Sequence, residues 1–470
     1  MSPHPFSRRE LLRWGAVAGA AAPFARLAAE EKAAPPASAA PSYLDAAVRA
    51  ARWVRSTRIE TQTGYIWLTG PERSQGLESV PTLYHGSSGV ILFLVELAHV
   101  TGDKAHLEEA VHGAEALAAQ IPAKLGLDEA GFYTGAAGRG WALERVAAAS
   151  GNEALHGAAK RCRDLIHASA RKSGAGVDWG DTTDIIAGTA GTSLYLLDLA
   201  RREKDDAARE LAVQAGLRLR ELGIPEAGGT KWKMEPTFKE VMPNFSHGTA
   251  GVAYFLTELY RATHRQEFLD AALSGARYLT AVADRGPAGD SCLIFHDEPD
   301  NKSLYYLGWC HGPAGTARFF YDLHRATGDA VWLDWARKGA KALLDSGIPE
   351  HPTPGFWNNV GQCCGSCGVG ELMLGLHRVT GDERYLAFAH RLAKDILARA
   401  TPTPGDGLKW IHAEHRVRPD YTYAQTGYMQ GAAGIGAFLL HLDALEKKRE
   451  WNLYLPDSPW GEAKGAGAST

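Results

Sequence analysis

With 470 residues, 45% of them hydrophobic and 22% charged, and a formal net charge of −4, the chain has the balance of an ordinary globular protein with a large core. So weak a charge excludes a dedicated nucleic-acid binder and a protein held on an anionic membrane by a basic surface. Length alone allows two or three domains, and the repeats described below reduce these to one.

The first stretch reads as a signal. Ser7-Arg8-Arg9-Glu10-Leu11-Leu12 leads into an apolar run from Trp14 to Ala25, and Ala20-Ala21-Ala22 offers small residues for cleavage. A twin arginine ahead of a modest apolar segment resembles a twin-arginine export signal, against the plainer reading of a frayed basic tail. Residues 1–30 are assigned to it, and the mature protein to the periplasm or the cell exterior. That route carries proteins already folded, so a metal can be loaded before export. No later stretch reaches the length of a spanning helix without charges, and no stable membrane insertion is expected after the signal is removed. Residues 31–42, with Pro35, Pro36 and Pro41 among alanines, form a linker too poor in large apolar groups to pack. The folded domain is expected over residues 43–446. A C-terminal tail is expected over 447–470, where periodicity is lost and Gly, Ala and Ser close the chain.

Through the domain one pattern recurs seven times. Its copies are Tyr84-His85-Gly86-Ser87-Ser88-Gly89, Tyr133-Thr134-Gly135-Ala136-Ala137-Gly138, Ile186-Ala187-Gly188-Thr189-Ala190-Gly191, Ser246-His247-Gly248-Thr249-Ala250-Gly251, Cys310-His311-Gly312-Pro313-Ala314-Gly315, Cys363-Cys364-Gly365-Ser366-Cys367-Gly368 and Met429-Gln430-Gly431-Ala432-Ala433-Gly434. Each Gly-x-x-Gly opens a run that is apolar nearly all round, the mark of a helix buried on most sides. Glycine in a first turn costs helix stability, so it answers a demand for packing or access.

Between these units lie amphipathic helices, typically after a Thr-Gly-Asp or similar turn. Examples are Tyr43 to Thr57, Asp103 to Ile121, Asn152 to Arg171, Gln266 to Ala283, Asp329 to Leu344 and Asp382 to Ala400, with alanine and leucine on one face and Lys, Arg and Glu on the other. Strand signals are sparse, the best being Ser291-Cys292-Leu293-Ile294-Phe295 in a connection. Seven inner and seven outer helices can stack as an open solenoid or close into a ring. Burial of the inner set favours closure. The predicted fold is all-α, an α/α toroid with its glycine turns rimming a central pocket at one end.

Half of the six cysteines sit in one turn, Cys363-Cys364-Gly365-Ser366-Cys367-Gly368, and Cys310 takes the place of Cys363 in the preceding copy. Vicinal cysteines rarely bridge to each other, because the disulfide strains the peptide between them. Thiols on neighbouring glycine turns suit a soft ion such as zinc, and Cys310, Cys363 and Cys364 are the candidate ligands of one Zn2+. The competing reading is disulfides in an oxidising compartment, Cys364 with Cys367, or Cys162 or Cys292 elsewhere. Cys367 falls in the small-residue slot of its unit, and Cys162 lies on an outer helix as a buried thiol.

The residue before the first glycine of each copy is, in order, His85, Thr134, Ala187, His247, His311, Cys364 and Gln430. Packing alone would be served by small residues such as Ala187 in every copy, so this rim marks a site. His247 and His311 are its candidate proton carriers. His85, in a unit without cysteine, is read as a packed or hydrogen-bonded rim residue. Tyr84, Tyr133, Trp309, Trp357 and Tyr428 either line the pocket or fill the core.

Seven Gly-x-x-Gly units, the turn Trp309-Cys310-His311-Gly312 and the following Cys363-Cys364-Gly365 turn resemble the LanC family, the lanthionine synthetase cyclases and their LanC-like relatives. The resemblance runs from about Tyr43 to Leu445. It implies an α/α toroid with one zinc ion, held at the places of Cys310, Cys363 and Cys364, the last where histidine is commoner. It implies that His247, in its His-Gly-x-x-Gly unit, is the active-site histidine. Asp184, four residues before Gly188, takes the place of the family's aspartate, and a helix cap is its plain alternative. His311 stands where tyrosine is frequent, and Tyr306 where an arginine is expected.

The implied activity is addition of a thiol to dehydroalanine or dehydrobutyrine, giving a thioether or a lanthionine. His247 or His311 would protonate Cα, with Asp184 orienting or charging an imidazole. The implied partners are a peptide or protein substrate with cysteine and dehydro residues, or a small thiol. A separate dehydratase is needed to make the alkene. Two other readings stay open. One is a carbohydrate-active toroid enzyme, with Asp178, Asp181, Asp184 and Glu235 as the acidic candidates. The other is a non-catalytic protein that binds zinc or a thiol.

Overall fold

The computed structural model describes residues 41–73, 79–238, 242–294 and 304–461. The expected export signal and the linker as far as residue 40 lie outside the described residues, as does the chain after Gly461. Among the described residues, fourteen helices alternate between two layers. The outer layer holds α1 (Tyr43–Ser56), α3 (Lys104–Ala119), α5 (Glu153–Ser169), α7 (Asp206–Glu221), α9 (Gln266–Val282), α11 (Ala330–Asp345) and α13 (Glu383–Ala398). The inner layer holds α2 (Ser87–Thr101), α4 (Ala136–Ser150), α6 (Thr189–Glu203), α8 (Thr249–Thr263), α10 (Pro313–Thr327), α12 (Ser366–Thr380) and α14 (Ala432–Glu446). The last inner helix packs against both α1 and α2, so the ring is closed and the fold is the predicted α/α toroid.

Burial separates the layers as the sequence pattern requires. In α14 every residue from Ala432 to Ala444 is buried. In α13 only Tyr385, Phe388, Ala389, Leu392, Ala393 and Ile396 are buried, a single stripe at helical spacing. The Thr-Gly-Asp turns join an inner to an outer helix by three local devices. Thr380 bonds back to the Leu376 carbonyl, Gly381 ends α12 in the left-handed region at φ 70°, and Asp382 accepts the Arg384 amide to cap α13. Thr101-Gly102-Asp103 and Thr327-Gly328-Asp329 repeat the same geometry.

All seven inner helices have the first glycine of their unit at the N-cap. These glycines have ordinary extended dihedrals; Gly365, for example, has φ −118°. What they answer is crowding, since a Cβ on Gly365 would press into the Asn359 carbonyl. The compact turns let neighbouring units bond to each other through the backbone. The Tyr84 amide donates to the Tyr133 carbonyl, Tyr133 to Ile186, Ser246 to Cys310, Cys310 to Cys363, Cys363 to Met429, and Met429 back to Tyr84, at 2.9–3.0 Å. These residues hold one position in every copy of the repeat, so a belt of backbone hydrogen bonds runs around the rim.

Short antiparallel hairpins fill the outer-to-inner connections: β1 (Ile59–Thr61) with β2 (Gly64–Ile66), β3 (Arg171–Ser173) with β4 (Gly176–Asp178), and β5 (Ile224–Glu226) with β6 (Gly229–Lys231). The strand expected near Ser291 forms at Cys292–Leu293 as β8, against β7 (Asp284–Arg285). The largest connection carries β9 (Ala400–Thr403), β10 (Gly407–Ala413) and β11 (Thr422–Ala424) in the order β11-β10-β9. In four connections a tryptophan indole bonds a carbonyl near the end of the preceding outer helix: Trp67 to Val54, Trp179 to Ile166, Trp232 to Leu219 and Trp410 to Ile396, at 2.7–3.1 Å.

The described part of the expected tail has no helix or strand, yet it is packed into the ring. Trp451 stacks on His441, Trp460 stacks on Tyr321, and the fully buried Asp457 accepts the Tyr133 hydroxyl at 3.1 Å and faces Arg318 at 3.6 Å. A cavity of about 40 Å³ lies between this segment and belt neighbours such as Trp309 and Gln362. Gly375 of α12 has no room for a Cβ, because the Trp460 indole lies against it. Gly375→Val is therefore expected to lower stability by about 1–3 kcal/mol through overpacking. Thermal denaturation checks this, and an unchanged melting temperature would mean that Trp460 is not seated there.

Candidate functional site

The belt decides where the sulfurs lie. Its bond from the Cys310 amide to the Cys363 carbonyl, 3.0 Å, holds the fifth and sixth turns in register. Gly308 allows this contact, because a Cβ there would sit 2.8 Å from the Cys364 backbone. Cys310 and Cys363 are buried, and Cys364, one residue on, is partly open to the pocket. The Cys310 and Cys364 sulfurs are 3.4 Å apart, and the three sulfurs all lie within 4.8 Å of one another. All six cysteines are free thiols. The alternative pairing of Cys364 with Cys367 is not made, and Cys367 is buried in the first turn of α12 as a small filler.

Electrostatics single out Cys364. Hydrogen bonds from the Cys310 and Cys363 thiols, helped by the Gln430 amide at 3.7 Å, hold its thiol well below the usual range despite burial. Burial and hydrogen bonds given to its neighbours push Cys363 up. At Cys310 the bond from Cys363 pulls downward, but the bond given to Cys364 and burial win, and this thiol is raised. Isolated thiols behave otherwise: burial pushes Cys162 and Cys292 up to about 11. The donor set fits a zinc ion. Three soft sulfurs at Zn–S bonds near 2.3 Å require tetrahedral S–S spacings of about 3.8 Å, within the spread found here. Cys364 is also supported from behind. Gln430 donates to the Tyr84 hydroxyl at 3.1 Å and accepts from Asn359 at 2.9 Å, and Asn359 is tied to the Ala413 carbonyl and the Gly361 amide.

Asp184 does not cap the helix, whose first amides go to backbone carbonyls; its side chain is shared between the turn ahead of α6 and His247. One carboxylate oxygen accepts the Ala187 and Gly188 amides at 2.8 and 2.9 Å, and the other bonds His247 Nδ1 at 2.6 Å. The His247 backbone amide is in turn fixed by Asn244 at 2.8 Å. A carboxylate on Nδ1 sets the imidazole orientation. His311 lies beside it, ring centroids 5.7 Å apart, and packs edge-on against Tyr306 at 4.9 Å. Tyr306 accepts a hydrogen bond from Arg416 Nε at 3.0 Å. Tyr133, Trp309 and Tyr428 are core residues, whereas Tyr84 and Trp357 are half-buried near the rim.

Sequence reasoning missed the contribution of the last connection. His412 lies near the end of β10 and Glu414 and Arg416 follow it, and Glu414 bonds His85 at 2.9 Å. They belong to no copy of the repeat; the available signal was the density of titratable residues in His412-Ala413-Glu414-His415-Arg416. The acidic residues considered for a carbohydrate site are mostly committed elsewhere. Asp178 and Asp181 pair with Arg171 at 2.8 and 3.3 Å on the outer hairpin, and Asp184 holds His247.

Residues 79–455 match the family model described as "Lanthionine synthetase C-like protein". Among solved structures the chain is similar to one described as "Nisin cyclase", at 16% identity over 87% of this chain and 94% of that one, with a TM-score of 0.60. It is also similar to an inactive variant of an alpha-1,6-mannanase of Salegentibacter sp. HEL1_6 in complex with alpha-1,6-mannotriose. That match has 14% identity over 86% of this chain and 99% of that one, with a TM-score of 0.50. Identities this low establish a shared fold and nothing finer.

His412 yields a test of the site's interior. It is buried, accepts the Val360 amide at 3.3 Å, and burial pushes its pKa down to about 4. Between roughly pH 4 and 6.5 the unfolded chain therefore holds a proton that the folded protein refuses. Stability should rise with pH across that window and level off above it, with up to about 3 kcal/mol at stake. Urea unfolding from pH 4 to 7 should show this slope in the parent and a shallower one in His412→Asn. Equal slopes would contradict the assignment.

Proposed function

Since the chain belongs to the lanthionine synthetase C-like family, we propose that it is a zinc-dependent enzyme that adds a thiol to a dehydroalanine or dehydrobutyrine. The product is a thioether, or a lanthionine when the thiol is a peptide cysteine. The observation that carries this reading is the convergence of three free thiols within 4.8 Å on a rim that also presents His247 on Asp184. Cys310, Cys363 and Cys364 would hold the ion. When bound, a zinc ion on three thiolates keeps a position for a substrate thiol and favours loss of its proton near neutral pH.

The chain's own groups have the remaining work. As sulfur bonds to Cβ, the alkene π pair moves onto Cα, which must take a proton. His247, oriented by Asp184, delivers it, and His311 beside it is the alternative donor. Buried, hydrogen-bonded supports such as Asn359 and Gln430 keep the sulfur side of the rim in place without reorganisation.

The substrate is proposed to be a peptide or protein that a separate dehydratase has already modified, with a small thiol as an alternative nucleophile. The likeness in fold to a protein named for cyclising nisin is in keeping with a peptide substrate. Export through the twin-arginine sequence at Arg8 and Arg9 would place this activity outside the cytoplasm.

Two measurements test the reading. Metal analysis should find one zinc per chain, and Cys310→Ala, Cys363→Ala and Cys364→Ala should each lose it on a chelating resin that leaves the parent loaded. A dehydroalanine peptide given a thiol should gain the thiol's mass, with kcat about 10²–10⁴-fold lower in His247→Asn. A zinc-loaded parent inert towards every thiol and alkene pair would refute an enzymatic role and leave a zinc- or thiol-binding protein.

A further inference from the structure

His85 takes the same place in the first unit that His247 takes in the fourth and Cys364 in the sixth. The closed ring turns this into geometry. Counted around the ring, His247 lies two units before Cys364 and His85 two units after it, with His311 and Gln430 between. The two imidazoles therefore flank the sulfur cluster from opposite sides. They are similarly exposed, with 27% of the His85 side chain and 29% of the His247 side chain open to solvent.

Each is also held by a buried carboxylate. Glu414 meets His85 Nε2 at 2.9 Å through one oxygen, while its other oxygen accepts the Tyr423 hydroxyl and the Gln425 amide, both at 3.1 Å. That arrangement mirrors Asp184, whose second oxygen is likewise spent on two fixed donors. A carboxylate so saturated is fixed in place, and burial strengthens its hydrogen bond to the imidazole. The nitrogen left to exchange a proton is Nδ1 in His85 and Nε2 in His247. A run of contacts links His85 to the sulfur side of the rim: its ring lies 4.4 Å from the Tyr84 ring, and Gln430 donates to both the Tyr84 hydroxyl and the Cys364 sulfur. Glu414 and Tyr84 are the titratable groups facing His85, with Tyr423 and His415 acting on it through Glu414.

We propose that His85, held by Glu414, is a second proton-transfer group, which accepts the proton of the incoming substrate thiol while His247 supplies a proton to Cα. The inference rests on the thiol-adding reading of the site and deepens it. The thiol S–H bond breaks, with its proton going to His85 Nδ1 and its electron pair staying on sulfur. The S–Cβ bond then forms, the alkene pair moves to Cα, and His247 protonates that carbon. Return of the His85 proton to His247 through solvent restores both groups, so thiol plus alkene gives thioether and no other reactant is consumed.

The test uses the zinc-loaded full chain, with His85→Asn, Glu414→Gln and His247→Asn. Calorimetry of mercaptoethanol binding near pH 7, in two buffers of different ionisation heat, counts protons released per thiol bound. The parent should release clearly fewer than one, because His85 retains it. His85→Asn should release close to one, Glu414→Gln should move in the same direction, and His247→Asn should match the parent. Addition to a dehydroalanine peptide gives a second readout. His85→Asn should slow mercaptoethanol about 10²-fold and slow nitrothiophenol, already ionised at the assay pH, far less, whereas His247→Asn should slow both alike. A purely structural His85–Glu414 pair would lower melting temperature without moving the proton count. An unchanged count in His85→Asn overturns the proposal while thiol activation stands; failure of the loaded parent to bind mercaptoethanol overturns both.

Discussion

Backbone amides on six of the seven glycine turns each give a hydrogen to the carbonyl of the turn in the next unit, and one of these six bonds joins the last unit to the first. The groups involved sit at positions as buried as Tyr133, Cys310 and Met429, where a lost partner costs about 1–3 kcal/mol. The belt is thus required by the burial that it accompanies. It sets the spacing between turns to that of paired main chains, and the glycines are what permit so close an approach. Everything chemical about the rim follows from that spacing. Cys310 and Cys363 are neighbours because their own peptide groups are bonded, so the sulfur cluster is positioned by backbone rather than by flexible side chains.

On this frame the polar side chains are held in a repeated way. Asp184 and Glu414 each spend one oxygen on two fixed donors and turn the other to a histidine. Asn359 joins a turn amide, a strand carbonyl and the Gln430 amide. Such saturation fixes orientation in advance, the condition under which buried donors and acceptors contribute most to a reaction. It also explains the contrast among the thiols. Cys162 and Cys292 are raised by burial, while Cys364 has three donors and is lowered.

The opposite side of the belt is closed differently. Chain beyond α14 returns across the inner helices and seats Trp451, Asp457 and Trp460 among them without regular structure. Its anchors are specific: Asp457 meets Tyr133 and Arg318, and the Trp460 indole uses the space that Gly375 leaves. The toroid is therefore a filled ring, with its polar site at the rim and residues 451–461 packed beneath.

Periodic features were legible in the amino-acid sequence alone, because they are local. The helix count, the two layers, the shared slot of His85, His247, His311, Cys364 and Gln430, and the kinship of Cys310 with Cys363 all follow from one repeated turn and one repeated burial pattern. Strands of two to four residues, apart from the one at Cys292–Leu293, escaped it, being too short to show alternation. So did the seating of residues 451–461, where no period marks burial. Only the closed ring decided which carboxylate holds which imidazole: Asp184 reaches His247 across 63 residues and Glu414 reaches His85 across 329. The first joins neighbouring units, whereas the second depends on where the last unit meets the first, and on a connection after β10 that belongs to no repeat. A repeat can specify that a position faces the rim, but which groups meet there is set by closure.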